Sequence, residues 1–278
     1  MPATESIPIY HTHPHDPNHK PPLERIVLRD VIDLALCAGQ LLLQHGAETE
    51  RIEETVHRLG TALGADWMDI LISPNAIIAT TISGDEFRTK VRRVAVLGVN
   101  MTVIAEINDL SRRVEAGQLD RFGVRSELMR ISTLKPVYNR WLVVIMVGLA
   151  CAAFSRLFGG DWAAFALVWG ASSAAMFVRQ ELIRRYFNPL VIVTITSFTA
   201  AMSASLGSRF QWTATPSEAL AASVLLLVPG VHLINAAEDM LKGHMVTGVI
   251  RGVLGAVISA AIGLGLLTAM RIVGIFSL

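Results

Sequence analysis

The hydrophobic pattern of the second half of the chain is that of membrane helices. Five apolar runs after position 136 each reach roughly the 17–25 residues that a helix needs to cross a bilayer. These runs are Trp141–Phe158, Trp162–Val178, Leu190–Leu206, Ala219–Ala237 and Gly248–Met270. Tryptophans at 141, 162 and 212 lie at the edges of spans, where the indole ring prefers the membrane interface. Residues 136–278 are therefore predicted to form five transmembrane helices.

Residues 23–135 have the mixed periodicity of a small α+β domain. Apolar positions recur at i, i+3 and i+4 from Leu23 to His45–Gly46, and a second helix is predicted from Glu48 to Leu63. Three β-like runs follow at 67–72, 76–82 and 87–94, separated by turn signals, with further helices at 100–117 and 120–131. The predicted fold class is an N-terminal α+β cytoplasmic domain followed by an all-α membrane bundle of five transmembrane helices.

Residues 1–22 are predicted to be a disordered tail, because their proline-rich polar composition cannot bury enough surface to fold. The tail holds His11, His13, His15 and His19. These could collect a metal ion, but no partner ligand is fixed relative to them. No metal site and no cofactor are predicted.

Composition separates the two halves. The chain is 52% hydrophobic and 17% charged, with 33 of its 47 charged residues in 1–135 and 14 in 136–278. A typical soluble domain carries about 25% charged residues. The net charge of +1 gives no basic face for nucleic acid. Cys37 and Cys151 have no CxxC neighbour, so neither a disulfide framework nor a thiol site is indicated.

Charge in the connections predicts the orientation. The second connection is rich in arginine (Arg179, Arg184, Arg185) and the fourth holds Lys242, whereas Arg156 and Arg209 are accompanied by acids. The positive-inside rule places the second and fourth connections and the N-terminal domain in the cytoplasm. The start of the chain lacks the pattern of a signal peptide, which agrees. The prediction is a multi-pass membrane protein with its N-terminal domain in the cytoplasm and its C-terminus outside.

The fourth span is interrupted. Pro229 and Gly230 sit in its middle, and Asn235, Glu238 and Asp239 follow. Proline removes a backbone donor and leaves the carbonyl of Leu225 without its helical partner, so the helix must bend or break. A broken helix near mid-membrane, followed by acids, is typical of secondary transporters. A proline-kinked structural helix that ends in ordinary interfacial acids remains the alternative.

Charged residues at the ends of the spans are candidates for binding and coupling. Arg179 ends the second span, Arg251 begins the fifth, and Lys242 follows the fourth. Together with Asn235, these cations could receive an anionic or zwitterionic substrate, and Asp239 or Glu238 could carry a coupling proton. The alternative is that charges at the membrane rim only snorkel to the interface, and that Arg179 is a positive-inside anchor.

Small residues predict close helix packing at Gly148-x-x-x-Ala152, Gly170-x-x-x-Ala174 and Gly248-x-x-x-Gly252. In the N-terminal domain, His45, Glu48, Ser73, Asn75 and Asp85 make a hydrolytic site conceivable. No GxSxG, HExxH or GxxxxGK motif supports it. His45 is better explained as a helix-end residue and Asn75 as a turn former.

Several segments resemble the threonine/serine exporter family, and most closely its split, two-gene form. The matching segments are Leu41–Glu48, Ser73–Ile77, Asn139–Phe154, Ala175–Gln180 and Ser223–His244. The family motif carries over onto Pro229, Gly230, Asn235 and Asp239, whereas His232 and Glu238 stand at variable positions. Fused relatives resemble one polypeptide with a soluble domain and ten membrane helices. The resemblance therefore implies a separate YjjB-like partner subunit for this five-helix chain. It also implies that the chain lies in the bacterial inner (plasma) membrane, so that the outside C-terminus would be periplasmic.

By this resemblance, the expected function is that of a subunit of a secondary-active exporter of small carboxylates, such as succinate, rather than an enzyme. A threonine/serine exporter subunit and a membrane-anchored hydrolase are the alternatives. Expected partners are the YjjB-like subunit, the substrate and membrane lipid, with homo-oligomerisation left open.

Overall fold

The structure is a computed structural model that describes residues 21–94, 98–134 and 138–274. The predicted tail lies almost entirely outside these residues. The chain divides into two compact units, one ending at Thr133 and one beginning at Leu134.

The N-terminal unit has four helices and three strands. They are α1 (Arg25–Gln44), α2 (Thr49–Ala62), β1 (Trp67–Ser73), β2 (Ala76–Ser83), β3 (Glu86–Arg93), α3 (Met101–Glu115) and α4 (Arg121–Ser132). The strands form one antiparallel sheet in the order β1-β2-β3. Each predicted helix and strand is present at nearly the predicted position, because both the apolar periodicity and the turn residues favour it.

Helix α1 is the centre of this unit. Eleven of its residues are buried, and Leu28, Ile32 and Leu36, four residues apart, are inaccessible to solvent. They form one hydrophobic core with residues of α2, the sheet, α3 and α4. The helix stops before Gly46, whose φ of +86° favours glycine. Asp33 on α1 pairs with Lys90 on β3 at 2.6 Å, at the edge of the core.

The C-terminal unit is all helical in the described residues. Its helices are α5 (Arg140–Leu157), α6 (Trp162–Arg184), α7 (Pro189–Arg209), α8 (Pro216–Ser223), α9 (Gly230–Leu241) and α10 (Met245–Val273), with a 3-10 turn at Leu225–Leu227. Four are long and apolar enough to cross a membrane: α5, α6, α7 and α10. The segments Pro216–Leu227 and Gly230–Leu241 qualify as a fifth span only when taken together.

Glycine allows close approach at two of the three predicted packing motifs. A Cβ on Gly148 of α5 would lie 2.1 Å from Ser173 Oγ on α6, and one on Gly248 would lie 2.9 Å from the Ala236 carbonyl. Gly170 differs, since nothing lies within 4 Å of its Cβ position. A small residue at spacing four predicts that helices can approach, but it does not say which face of the helix has a neighbour.

Asp161 fastens the start of α6 to the segment before α8. Its Oδ1 accepts from the Ala164 N–H at 2.6 Å and from the Thr213 hydroxyl at 2.8 Å. Its Oδ2 accepts from the Ala214 N–H at 2.9 Å. The hydrogen bonds from Ala164, Ala214 and Thr213 lower the pKa of this carboxyl group. The entry of α8 into the unit is thereby fixed to the α5–α6 connection.

Candidate functional site

The predicted interruption of the fourth apolar segment is a physical break. Helix α8 ends at Ser223, the 3-10 turn follows, and α9 starts at Gly230, with the two halves bent by 66°. Val228 is extended, with ψ of 124°, and Pro229 is buried. The Leu225 carbonyl, which proline deprives of its helical donor, accepts instead from the Val228 N–H at 3.2 Å. The 3-10 turn therefore gives a hydrogen-bond donor to the carbonyl that, from the sequence, was expected to lack one.

A buried hydroxyl holds the end of α8. Ser172 on α6 is inaccessible to solvent and donates its Oγ–H to the Ser223 carbonyl at 3.1 Å. Here the α-helix tightens into the 3-10 turn, and the Leu227 N–H donates to Val224 rather than one residue earlier. A buried carbonyl without a donor costs about 1–3 kcal/mol. Ser172 therefore stabilises the geometry of the break.

Beyond the break, α9 carries a buried ion pair. Asp239 is 0% exposed, and its Oδ2 lies 3.0 Å from Nη1 of Arg251 on α10. The Arg251 side chain is 12% exposed. The Asp239 carbonyl also accepts from the His244 N–H at 2.8 Å, which closes the turn between α9 and α10. Glycines at 248 and 255 let the first half of α10 lie against α9, so that Arg251 can reach Asp239.

Glu238 and Lys242 form a second, different pair. They are four residues apart on α9 and the turn that follows, and their Nζ–Oε1 distance is 2.7 Å. About a third of each side chain is exposed. Partly solvated pairs of this spacing contribute little to stability. Adjacent acids in the sequence thus have distinct environments, and only Asp239 is buried.

Two other polar side chains, Asn235 and His232, lie on the face of α9 that carries Asp239. Asn235 is half-buried one helical turn before Asp239 and shares its face of α9. His232 lies one turn further, where its Cβ is 3.9 Å from the position of a Cβ on Gly255 of α10. Sequence reasoning did not select His232, although its spacing of seven residues from Asp239 places it on the same helix face.

Arg179 does not join these groups through an ion pair. It lies within α6, which continues to Arg184, and it is half-buried. Across the described ranges no carboxylate lies within 4 Å of its guanidinium. Of the predicted site residues, the structure brings Asp239 and Arg251 together, pairs Glu238 with Lys242, and puts Pro229 and Gly230 at the break.

In the described residues of the N-terminal unit, the candidates for a hydrolytic site lie at the ends of helices and strands and in turns. His45 caps the C-terminal end of α1, and partial burial lowers the pKa of its imidazole. Asn75 is exposed in the turn between β1 and β2. Within the described parts of the chain, no three His, Cys, Asp or Glu side chains are grouped as metal ligands.

Four long apolar helices and a broken fifth segment with a buried ion pair define a multi-pass membrane protein of the transporter class. The chain belongs to the ThrE family, whose profile, described as "Putative threonine/serine exporter", matches residues 33–273. The family identifies it as a transport protein and not an enzyme, which confirms the expectation from sequence and leaves the hydrolase alternative without support.

Named relatives agree with this assignment. A Klebsiella aerogenes protein named "Probable succinate transporter subunit YjjP" is 42% identical over 89% of this chain and 95% of its own length. The Escherichia coli K12 protein of the same name is 40% identical over 89% of this chain and 96% of its own length. The threonine/serine exporter of Corynebacterium glutamicum is 24% identical over 78% of this chain, but only 46% of its own length is covered. No solved structure matches the chain.

Proposed function

We propose that this chain is one subunit of a secondary-active exporter of small dicarboxylates, succinate or a related acid, and that it works with a YjjB-like membrane subunit. The observation that carries the proposal is the buried Asp239–Arg251 pair beside a broken helix. The names of the two 40–42% identical relatives support the substrate class and the subunit role.

The geometry suggests how a carboxylate could be bound. An arginine buried against one carboxylate is a selective site for a second, because the guanidinium fork matches a carboxylate in a bidentate manner. A substrate carboxylate would compete with Asp239 for Arg251. The start of α9 at Gly230 adds the positive end of a helix dipole on the same helix. Binding would therefore exchange one carboxylate for another and leave the buried charge balanced.

The same exchange provides a means of coupling. Removing one partner from a buried ion pair leaves an uncompensated charge, which costs about 3–5 kcal/mol. Once the substrate has displaced it, the Asp239 carboxylate would be neutralised by a proton. Release of the substrate would restore the pair and expel the proton. Substrate and proton would thus cross the membrane together, linked through Arg251.

The orientation stays as the sequence predicts it: an inner membrane protein with the N-terminal domain in the cytoplasm and the C-terminus in the periplasm. It requires the bent pair α8–α9 to cross the membrane as one span. If the pair instead re-enters, four crossings leave both ends on one side. Labelling of single cysteines at Glu54 and at Arg271 with an impermeant maleimide in intact cells distinguishes the two topologies.

The direct test is reconstitution of this chain and the partner subunit in vesicles loaded with labelled succinate, threonine or serine. Efflux of succinate that carries protons out of the vesicles with it and is lost in Asp239→Asn supports the proposal. Efflux of threonine or serine with no succinate transport would favour the amino-acid exporter alternative, which the Corynebacterium glutamicum relative's name suggests. Unchanged succinate efflux in Asp239→Asn would contradict the proposed coupling.

A further inference from the structure

One face of the sheet is left largely open by the other described elements of the N-terminal unit, which meet it only at its edge, where the Trp67 ring lies 4.7 Å from the His57 ring of α2. Helices α1 and α2 pack on the other face. On the uncovered face, the strand register aligns Trp67, Ile82 and Phe87 in one cross-strand row and Leu71, Ile78 and Val91 in another. Phe87 is 70% exposed, Leu71 65% and Val91 63%. We call these six residues the outer apolar face.

Such a face is unusual for a sheet in contact with water. An antiparallel sheet with one solvated side normally alternates apolar inside and polar outside. Here the outer side instead carries two rows of large apolar side chains, and β1 and β3 are the edge strands of the sheet. Large exposed apolar side chains gathered on one face in this way mark an interaction site. The face therefore requires an occupant with a similar sheet of apolar side chains.

We propose that the occupant is a second copy of this chain, packed sheet against sheet. A two-fold axis parallel to β2 brings β1 of one copy opposite β3 of the other. Trp67 then faces Phe87 of the second copy, and Leu71 faces its Val91. Residues of β2 face themselves across the axis. Aligned sheets pack about 10 Å apart, which these side chains can fill.

The polar row between the two apolar rows selects this arrangement. Asp69, Thr80 and Thr89 are aligned across the strands. Asp69 accepts from the Trp67 indole N–H at 2.7 Å, and the Thr80 and Thr89 hydroxyls lie 2.8 Å apart. The proposed axis puts Asp69 opposite the Thr89 hydroxyl of the second copy, a second donor for a carboxylate that becomes buried. An axis across the strands would instead oppose two Asp69 carboxylates, which is unfavourable.

The size of the face is sufficient for a modest interface. Three strands of seven residues cover roughly 14 Å by 23 Å, given strand spacing near 4.8 Å and a rise near 3.3 Å. Because the side chains project from the sheet, the accessible area that each copy would bury is larger than this flat area, roughly 600 Å², which is the low end for a specific interface. Anchoring in one membrane raises the effective concentration of the copies, so a weak interface is enough.

The test is cross-linking of the full-length chain in membranes, on a background of Cys37→Ser and Cys151→Ser. Thr80→Cys lies at the proposed axis, so a short bis-maleimide should link two copies through this single site. Leu71→Cys with Val91→Cys should also give a dimer. Glu54→Cys, exposed on α2, is the control and should give no cross-linked dimer. A Thr80→Cys chain that links to no second copy, or only to a different polypeptide, would overturn the proposal.

A second measurement does not depend on cysteine reactivity. Phe87→Lys with Val91→Lys should shift the detergent-solubilised chain from dimer to monomer in light scattering. Met129→Lys, which changes a lone apolar residue 61% exposed on α4, should leave the dimer intact. Thermal unfolding of each variant checks that the fold survives. A Phe87→Lys/Val91→Lys chain that is folded and still dimeric would show that the copies associate elsewhere, which also contradicts the proposal.

Discussion

Arg251 of α10 lies 3.0 Å from Asp239 of α9, and the carboxylate has no exposed surface. The two helices are joined by a three-residue turn, in which Gly243 has φ of +90°. The pair therefore ties together the two helices that follow the break. Glu238, one residue from Asp239, makes a partly solvated pair with Lys242, so Asp239 can be tested with Glu238 as its control.

Removing one member of the buried pair should be costly for stability. Asp239→Asn or Arg251→Ala leaves one buried charge without its partner, and we expect a loss of about 3–5 kcal/mol in unfolding free energy. The double variant Asp239→Asn/Arg251→Gln should recover much of this loss, because no net buried charge remains. Thermal unfolding in detergent measures each effect.

The matched control is Glu238→Gln, for which we expect a change below about 1 kcal/mol. If transport requires the exchange of carboxylates at Arg251, the double variant should be stable but inactive. Equal destabilisation by Glu238→Gln and Asp239→Asn would show that burial of Asp239 does not decide its role.

Close packing of α10 on α7 should make Gly265 intolerant of any side chain. Its Cβ would lie 2.4 Å from the Thr194 carbonyl and 2.9 Å from the Phe198 nitrogen, and backbone cannot move aside as a side chain can. We expect Gly265→Ala to cost about 1–3 kcal/mol. Gly263→Ala, two residues away with nothing within 4 Å, should be neutral or slightly stabilising. Equal melting temperatures for the two variants would contradict this packing.

Loss of the Ser172 hydroxyl should destabilise the 3-10 turn at the break between α8 and α9. Ser172→Ala leaves the Ser223 carbonyl without this buried donor, and we expect a cost of about 1–3 kcal/mol together with slower transport. Thr268→Ala is the comparison, because that hydroxyl only adds a second bond to the Leu264 carbonyl of its own helix. Hydrogen exchange at Val224–Val228 should quicken in Ser172→Ala alone. Unaltered exchange there would mean that Ser172 does not hold the turn.

Protonation of Asp161 at low pH should weaken the hydrogen bonds that join the start of α6 to the segment before α8. Its pKa in the folded chain lies below the ordinary value near 3.9, so the stability it contributes is present above that value and is lost as pH falls below about 4. Asp161→Asn should remove this part of the pH dependence. Melting temperature measured from pH 7 to pH 3 checks it. A wild-type curve that parallels the variant at every pH would exclude the role.

The local sequence pattern was sufficient to predict most of the helices and strands. The helix ends at Gly46 and Gly64 and the three strands with their turns follow from residue types that act within a few positions. Of the five apolar runs predicted to be spans, four are single long helices in the structure. The break at Pro229 was also predictable, because proline removes a backbone donor whatever surrounds it.

Partners across helices could not be predicted in this way. The charge pattern offered Arg179, Lys242 and Arg251 as equivalent cations and Glu238 and Asp239 as neighbouring acids, and only the family resemblance favoured Asp239. Only tertiary contacts distinguish them, since helix periodicity fixes which residues share a face but not which helix that face meets. The same holds for Gly170 and Gly248: their sequence motifs are alike, but only Gly248 has a neighbouring helix beside its Cβ position. The sequence determined where the fourth apolar segment breaks, and packing of α9 on α10 decided which acid is buried and paired there.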